Sequence, residues 1–367
     1  MISISRPAIE KEEINAVVRV LKSGRIAQGE NVKKFEKQFS NFIGAKYAVA
    51  TSSGTNALFL ALLAHGLKRG DEVITTPFSF IASSDAIRFV GASPVFVDIN
   101  PYSFNVDPAL IEEKISAKTK AILIVHIFGN PCEMEKIMKI VNRHHLILIE
   151  DSCQAHGAEL KGKKVGSFGT GCFSFYATKN MTTGEGGMVT TNNKALAEKI
   201  RLLRQHGSKV SYYSKVLGYN FCMTDFQAAM GLEQLKKLVE HNEKRINNAR
   251  YMTAGLGQVE GIILPTVCFN TKHVFHQYTI RVVDKFPTKR DEVLKVLKNK
   301  GIDGRVYYPI PIYKQKSYKS FGYKYKLSQV ERIVKEVISL PVHPLVKKSE
   351  LDYIIQTIKR TAVCNRP

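Results

Sequence analysis

Three short stretches of the 367-residue chain carry residue types that could do chemistry together. The first is Ser52-Ser53-Gly54-Thr55-Asn56, placed directly before a helical pattern with an amphipathic spacing. Free backbone N–H groups at a helix start, beside a glycine that permits close approach, form an anion site. The second is the apolar run Leu146-Ile147-Leu148-Ile149, which ends in Glu150-Asp151 and turns through Ser152-Cys153-Gln154-Ala155-His156-Gly157. A carboxylate there sits at the carboxyl end of a strand, where open α/β sheets bind ligands. The third is Cys172-Phe173-Ser174-Phe175-Tyr176-Ala177-Thr178-Lys179-Asn180, followed by Thr183-Gly184-Glu185-Gly186-Gly187-Met188. Burial after an aromatic strand lowers the pKa of a lysine and favours the neutral amine that attacks a carbonyl. Ser174, five positions before Lys179, could offer a hydroxyl to a phosphate. Each stretch also has an ordinary reading: a Ser/Thr N-cap, an aspartate capping a turn, and a surface lysine after a strand.

Their order narrows the choice. An anion-binding helix start is followed by the aromatic loop Thr76-Pro77-Phe78-Ser79-Phe80, then strand-end Asp151, then strand-end Lys179. Fold-type I enzymes of pyridoxal 5′-phosphate (PLP) present their cofactor groups in this order. An acid at Asp151 would keep a pyridinium nitrogen protonated, as the electron sink of PLP requires.

The elements that must position these residues read as α/β. Strands are expected at Glu72–Thr76, Pro94–Asp98, Lys120–His126, Leu146–Asp151, Cys172–Tyr176 and Gly187–Thr191, separated by helical patterns at Asn56–Gly66, Ile81–Val90, Met134–His144 and Lys194–His206. The run Ala121-Ile122-Leu123-Ile124-Val125 suits a strand covered on both faces. Past about residue 245 the pattern changes to helices near Arg290–Lys300, Val330–Ile338 and Ser349–Arg360 with a mixed strand at Tyr278–Val283. The expected organisation is a mainly parallel sheet flanked by helices in residues 1–245, and a smaller α+β domain in 246–367.

Composition excludes some classes. No apolar run approaches the roughly 20 residues that span a bilayer, and the first residues lack a charged region followed by an apolar one, which argues against a secretory signal. The six cysteines are scattered without a Cys-x-x-Cys pair, and the ten histidines show no metal-ligand spacing, which argues for reduced thiols in a cytoplasm and for no metal site. The formal charge of +22 suggests a polyanionic or phosphorylated partner, but the basic residues, as in Lys33-Lys34, Lys163-Lys164 and Lys347-Lys348, are spread along the chain. No helix-turn-helix, zinc-finger or RNP-like pattern supports nucleic-acid binding.

Nearly end to end, the chain resembles the DegT/DnrJ/StrS-type sugar aminotransferases. The likeness runs through Ser23-Gly24-Arg25-Ile26-Ala27-Gln28-Gly29, Gly70-Asp71-Glu72-Val73-Ile74, Pro94-Val95-Phe96-Val97-Asp98, Glu150-Asp151-Ser152-Cys153-Gln154-Ala155-His156-Gly157, Gly218-Tyr219-Asn220 and Ser339-Leu340-Pro341-Val342-His343-Pro344. The resemblance implies that Lys179 links covalently to PLP and moves the proton, that Asp151 pairs with the ring nitrogen, and that Gln154 lies near the ring hydroxyl. It further implies that Phe80 stacks on the ring and that Gly54, Thr55 and Ser174 hold the phosphate, with Asn220 reaching it from the other subunit of a homodimer. Ala27, Gln28, Tyr308 and Tyr313 are the implied substrate contacts, L-glutamate the implied donor, and a 3-keto or 4-keto sugar on a nucleoside diphosphate the implied acceptor. The stretch Tyr308-Pro309-Ile310-Pro311 with Lys314-Gln315 leans toward relatives of the 3-keto kind.

Two positions depart from the pattern: Cys222 stands where many relatives have a basic residue, and Tyr313 where they commonly have histidine. Related alternatives are a PLP-dependent sugar dehydratase, in which histidine replaces the lysine present here as Lys179, and an aminotransferase acting on a cyclic polyol or other ketone. A regulatory or nucleic-acid-binding protein would leave the Asp151–Ser174–Lys179 set unexplained.

Overall fold

β-Branched and apolar runs pair laterally, and the longer 3.6-period stretches between them cover the resulting sheet. The computed structural model describes residues 1–210 and 212–364, so the last three residues of the expected second domain lie outside it. Helices α1 (Lys11–Ser23) and α2 (Glu30–Ile43) precede strand β1 (Tyr47–Thr51) and helix α3 (Gly54–Ala64). Then come β2 (Glu72–Thr75), α4 (Ala82–Phe89), β3 (Ser93–Phe96), β4 (Thr119–Val125), α5 (Met134–Arg143), β5 (Ile147–Asp151), β6 (Thr170–Ser174), β7 (Gly187–Thr191) and α6 (Lys194–Arg204). All six expected strands are present.

The seven strands form one sheet in the order β1-β7-β6-β5-β4-β2-β3. β7 runs antiparallel to both neighbours, while the β6-β5-β4-β2-β3 ladder is parallel throughout. Along β4 the side chains alternate between two cores, as period 2 demands. Ala121, Leu123 and Val125 join one cluster with α3, and Ile122 and Ile124 join another with α5. Helix α3, expected to be amphipathic, is buried along Ala57-Leu58-Phe59-Leu60-Ala61-Leu62. It packs between the sheet and neighbouring helices, so no polar stripe is needed.

Helix α7 (Asp225–Leu256) runs unbroken past the expected junction at residue 245. Its first half gives Ala228, Leu235 and Leu238 to the core around Phe35, Phe39 and Phe173. Its second half gives Ile246, Ala249, Met252 and Leu256 to a separate core with Tyr278, Ile280, Leu297, Ile338 and Ile354. The helix expected over Val330–Ile338 is a correction: it stops at Ile333, and Val337–Leu340 is a strand. The β-branched pair Val337-Ile338 meets Arg281 and Ile280 across an antiparallel ladder, and that pairing overrides the helical spacing. Among the described residues, no helix is long and apolar enough to cross a membrane.

Candidate active site

Parallel strands deliver their carboxyl ends to one edge of the sheet, and a cavity of about 580 Å³ lies there. At the end of β1 the chain turns directly into α3. Of the four N–H groups at that helix start, Asn56 is capped by Ser53 Oγ at 3.2 Å and Ala57 donates to the Ser53 carbonyl at 3.0 Å. Those of Gly54 and Thr55 are left on the cavity wall, the condition for binding an anion. Gly54 has no substitute here, since a Cβ at this position would stand 2.6 Å from the Cβ of Ser174. That close approach brings the Ser174 hydroxyl, at the end of β6, beside the helix start. Ser174 Oγ accepts the Tyr176 N–H at 3.3 Å, leaving the hydroxyl proton for donation.

Adjacent residues of β5 point to opposite faces, and the paired carboxylates part accordingly. Glu150 is fully buried and saturated: it accepts N–H groups from Gly166, Phe168 and Gly169 at 2.7–2.8 Å and faces His126 Nε2 at 3.2 Å. Asp151 faces the cavity and is 4% exposed. Its Oδ1 accepts the Cys153 N–H at 3.1 Å, and its Oδ2 accepts the Ser83 hydroxyl at 2.6 Å.

Lys179 stands half-buried on the same cavity wall. Desolvation holds its pKa below the ordinary lysine value, against the opposing pull of Cys153 and Asp151. Burial likewise presses His156 down to about 3, so this neighbour remains neutral. Gln154 is fixed by two bonds, its Oε1 accepting the Phe128 N–H at 2.9 Å and its Nε2 donating to Tyr308 Oη at 3.1 Å. The Tyr308 phenol is pushed up in pKa by burial and so is a neutral hydroxyl. Phe80, 57% exposed, borders the opening.

Eight residues singled out from sequence therefore share one cavity: Gly54, Thr55, Phe80, Asp151, Gln154, Ser174, Lys179 and Tyr308. Four lie elsewhere. Asn220 is exposed, in a bridge with Gln205, and the next residue ties to the α3 turn through a Ser52 N–H to Phe221 carbonyl bond of 2.9 Å. Ala27 and Gln28 are exposed, and the Ile26 and Ala27 carbonyls accept the Asp225 N–H at the start of α7. Tyr313, expected beside the substrate, is buried among Phe96 and Tyr325 with its hydroxyl on Glu331 at 2.8 Å. Cys222 does not line the cavity; its thiol faces the Arg204 carbonyl at 3.8 Å.

Sequence reasoning missed Ser79, Ser83, Phe128, Tyr307, His276 and Gln277, all of which line the cavity. Ser79, inside the aromatic loop, and Ser83, in the first turn of α4, are four residues apart, a spacing with many ordinary uses that does not mark a site. Of the others, Phe128 and Tyr307 pack with the core around α3, while His276 and Gln277 follow Phe275 of the second core, placements that only the folded packing sets.

A helix start with free N–H groups beside a serine suits a phosphate, a buried strand-end carboxylate suits a protonated ring nitrogen, and a desolvated lysine suits a carbonyl. These donors fit PLP, and with the mainly parallel sheet they define a PLP-dependent transferase of fold type I. The chain belongs to the DegT/DnrJ/EryC1/StrS aminotransferase family, whose sequence model matches residues 7–359. It is 43% identical to a pleiotropic regulatory protein of Geobacillus stearothermophilus, over 95% of this chain and 94% of the other. It is 38% identical to the dTDP-3-amino-3,6-dideoxy-alpha-D-galactopyranose transaminase of Aneurinibacillus thermoaerophilus, over 96% and 95% of the two chains. Among solved structures it superposes on the PLP form of a candidate sugar aminotransferase from Streptococcus pneumoniae with a TM-score of 0.95 at 29% identity, covering both chains completely at 100%. The protein is thus a PLP-dependent aminotransferase acting in amino-sugar chemistry.

Proposed function

We propose that this enzyme transfers the amino group of L-glutamate to a keto sugar carried on a nucleoside diphosphate, with C3 as the aminated carbon. The product would be an amino sugar for a surface polysaccharide or glycoconjugate. The observation that carries the reading is the convergence of Lys179, Asp151 and the free N–H groups of Gly54 and Thr55 on one cavity. Bound PLP supplies an electron sink that lets an amino group pass between an amine and a ketone. The Gly54 and Thr55 N–H groups and the Ser174 hydroxyl would hold the phosphate, Asp151 would keep the ring nitrogen protonated, and Phe80 would cover a ring face. Gln154, its amide anchored by Phe128 and Tyr308, would attend the ring hydroxyl. Lys179 would hold the cofactor, and its amine, whose pKa desolvation lowers, would take the proton from the α-carbon of the donor. In the return half it delivers a proton to the sugar carbon that receives the amine.

The 3-amino transaminase relative supports C3, and so does the Tyr308-Pro309-Ile310-Pro311 stretch. The likeness to a regulatory protein supports no rival reading, because regulation alone leaves the Lys179 and Asp151 geometry without a use. Asn220, Ala27 and Gln28 lie off this chain's cavity, which supports a homodimer in which they serve the site of a second copy. Free thiols at Cys132, Cys153, Cys172, Cys222 and Cys268 agree with a reducing cytoplasm.

The test is the visible spectrum of the purified protein with PLP supplied. L-glutamate should bleach the band of the lysine-bound cofactor, and a 3-keto nucleotide sugar, rather than a 4-keto one, should restore it. A protein that stays colourless with PLP removes Lys179 from its role. Mixing inactive Lys179→Ala and Asn220→Ala chains should restore activity if Asn220 acts across subunits.

A further inference from the structure

Asp151 is a buried carboxylate, and such a group must be held by hydrogen bonds to stay charged. Its two oxygens have different holders. Oδ1 takes a backbone N–H from Cys153, which no side-chain change would remove. Oδ2 takes the hydroxyl of Ser83, a residue 1% exposed at the first turn of α4, at 2.6 Å. That distance is characteristic of a hydroxyl donating to a charged oxygen. The single Ser83 proton has a second acceptor in reach, the Phe80 carbonyl, but this lies at 3.2 Å. With the proton committed to Asp151, the 3.0 Å contact between Ser79 Oγ and Ser83 Oγ is donation from Ser79 to Ser83. Ser79 lines the cavity and is 4% exposed. The result is a relay of two hydroxyls, Ser79 donating to Ser83 and Ser83 to one carboxylate oxygen, in which each bond strengthens the next.

We propose that Ser83, supported by Ser79, is a positioning residue that keeps Asp151 ionised and aimed at the ring nitrogen of PLP. This rests on the reading of Asp151 as the partner of that nitrogen. By donating to Oδ2, Ser83 supplies the hydrogen bond that lets Asp151 pair with the ring nitrogen as a carboxylate. It also fixes the carboxylate's rotation, which Cys153 alone would leave free to swing on Oδ1. Nothing in the linear sequence marks Ser83 for this task, since the partner is 68 residues away.

The experiment measures the dissociation constant for PLP and the pH titration of the cofactor band, alongside kcat and KM, for Ser83→Ala, Ser83→Thr, Asp151→Asn and the Ser83→Ala/Asp151→Asn double variant. Ser83→Ala should weaken PLP binding about tenfold, the size of a lost hydrogen bond to a charged group, displace the band's titration and lower kcat more than KM for L-glutamate. Ser83→Thr, which keeps the hydroxyl, should recover most of that loss. In the Asp151→Asn background, removal of Ser83 should have little further effect, because the two act through one bond. The proposal is overturned if Ser83→Ala binds PLP within about twofold of the parent with an unmoved titration while Asp151→Asn is impaired. It is also overturned if Ser83→Thr is as weak as Ser83→Ala, or if the two losses simply add. If Asp151→Asn itself leaves PLP affinity and turnover intact, the reading of Asp151 fails first.

Discussion

Glu150 and Asp151 are chemically near-twins and neighbours on one strand, yet they end in opposite kinds of surroundings. The Glu150 region is a closed box, three backbone N–H groups and His126 around a carboxylate with no solvent exposure. The Asp151 region is a wall: two donors from behind, and an open cavity in front. A carboxylate whose acceptor sites are all filled by backbone stabilises a loop, here residues 166–169, and can do nothing else. One held by only two donors keeps acceptor capacity for a ligand. Burial alone would not separate the two; the number of unfilled acceptor sites does.

The contrast can be broken by exchanging what each acid loses. Asp151→Asn should lower kcat roughly a thousandfold, the scale of removing one preorganised electrostatic partner, while thermal unfolding moves little. Glu150→Gln should do the reverse, with stability falling by about 3 kcal/mol because an amide cannot satisfy three N–H donors and with PLP affinity near the parent's for the fraction that folds. Comparable kinetic losses in both, measured by kcat and by denaturant melts on the same samples, would dissolve the distinction.

A smaller effect is expected at Lys179. Its folded pKa lies below the ordinary lysine value of 10.5, so charging it opposes folding. In the window between the two values the unfolded chain binds more protons, and stability rises with pH; above 10.5 the penalty is gone. The apoenzyme of Lys179→Met should therefore melt above the parent apoenzyme at neutral pH, and the gap should close as pH approaches the ordinary lysine value. The smallest effect belongs to Tyr313→Phe. It removes a hydroxyl bond to Glu331, so about 1 kcal/mol of stability should go, with KM for the sugar nucleotide unchanged. A raised KM would return Tyr313 to the substrate.

Much of the sheet was legible because its strands are long apolar runs punctuated by turns. β1 escaped notice since Tyr47-Ala48-Val49-Ala50-Thr51 is rich in alanine and pairs only with a strand far along the chain, β7. Val337 and Ile338 were read as the end of a helix because their strand partner, Tyr278–Val282, is also distant in sequence, though nearer than β7 is to β1. In the site, Asp151, Ser174 and Gly54 were visible since each sits at a strand end or a helix start, and Lys179 because it lies in the turn just past an aromatic strand, positions that local sequence marks. Ser83 was not, because serine on a helix has many uses and its task is defined only by Asp151. Tyr313 was misplaced by its neighbours: a proline-rich aromatic loop reads as a ligand wall, and whether each ring faces the cavity or the core depends on packing against Phe96.

The unbroken α7 has a mechanical consequence. Its 32 residues make a spar about 48 Å long at 1.5 Å per residue, with one end set in each core. Bending such a member near residue 245 would break backbone hydrogen bonds in mid-helix, so a hinge there is costly. Entry and exit of a bulky substrate then fall to the rim around Tyr307 and Tyr308, since the Glu185 segment is tied to the spar by Gln227 Nε2, which donates to the Glu185 carbonyl at 2.8 Å.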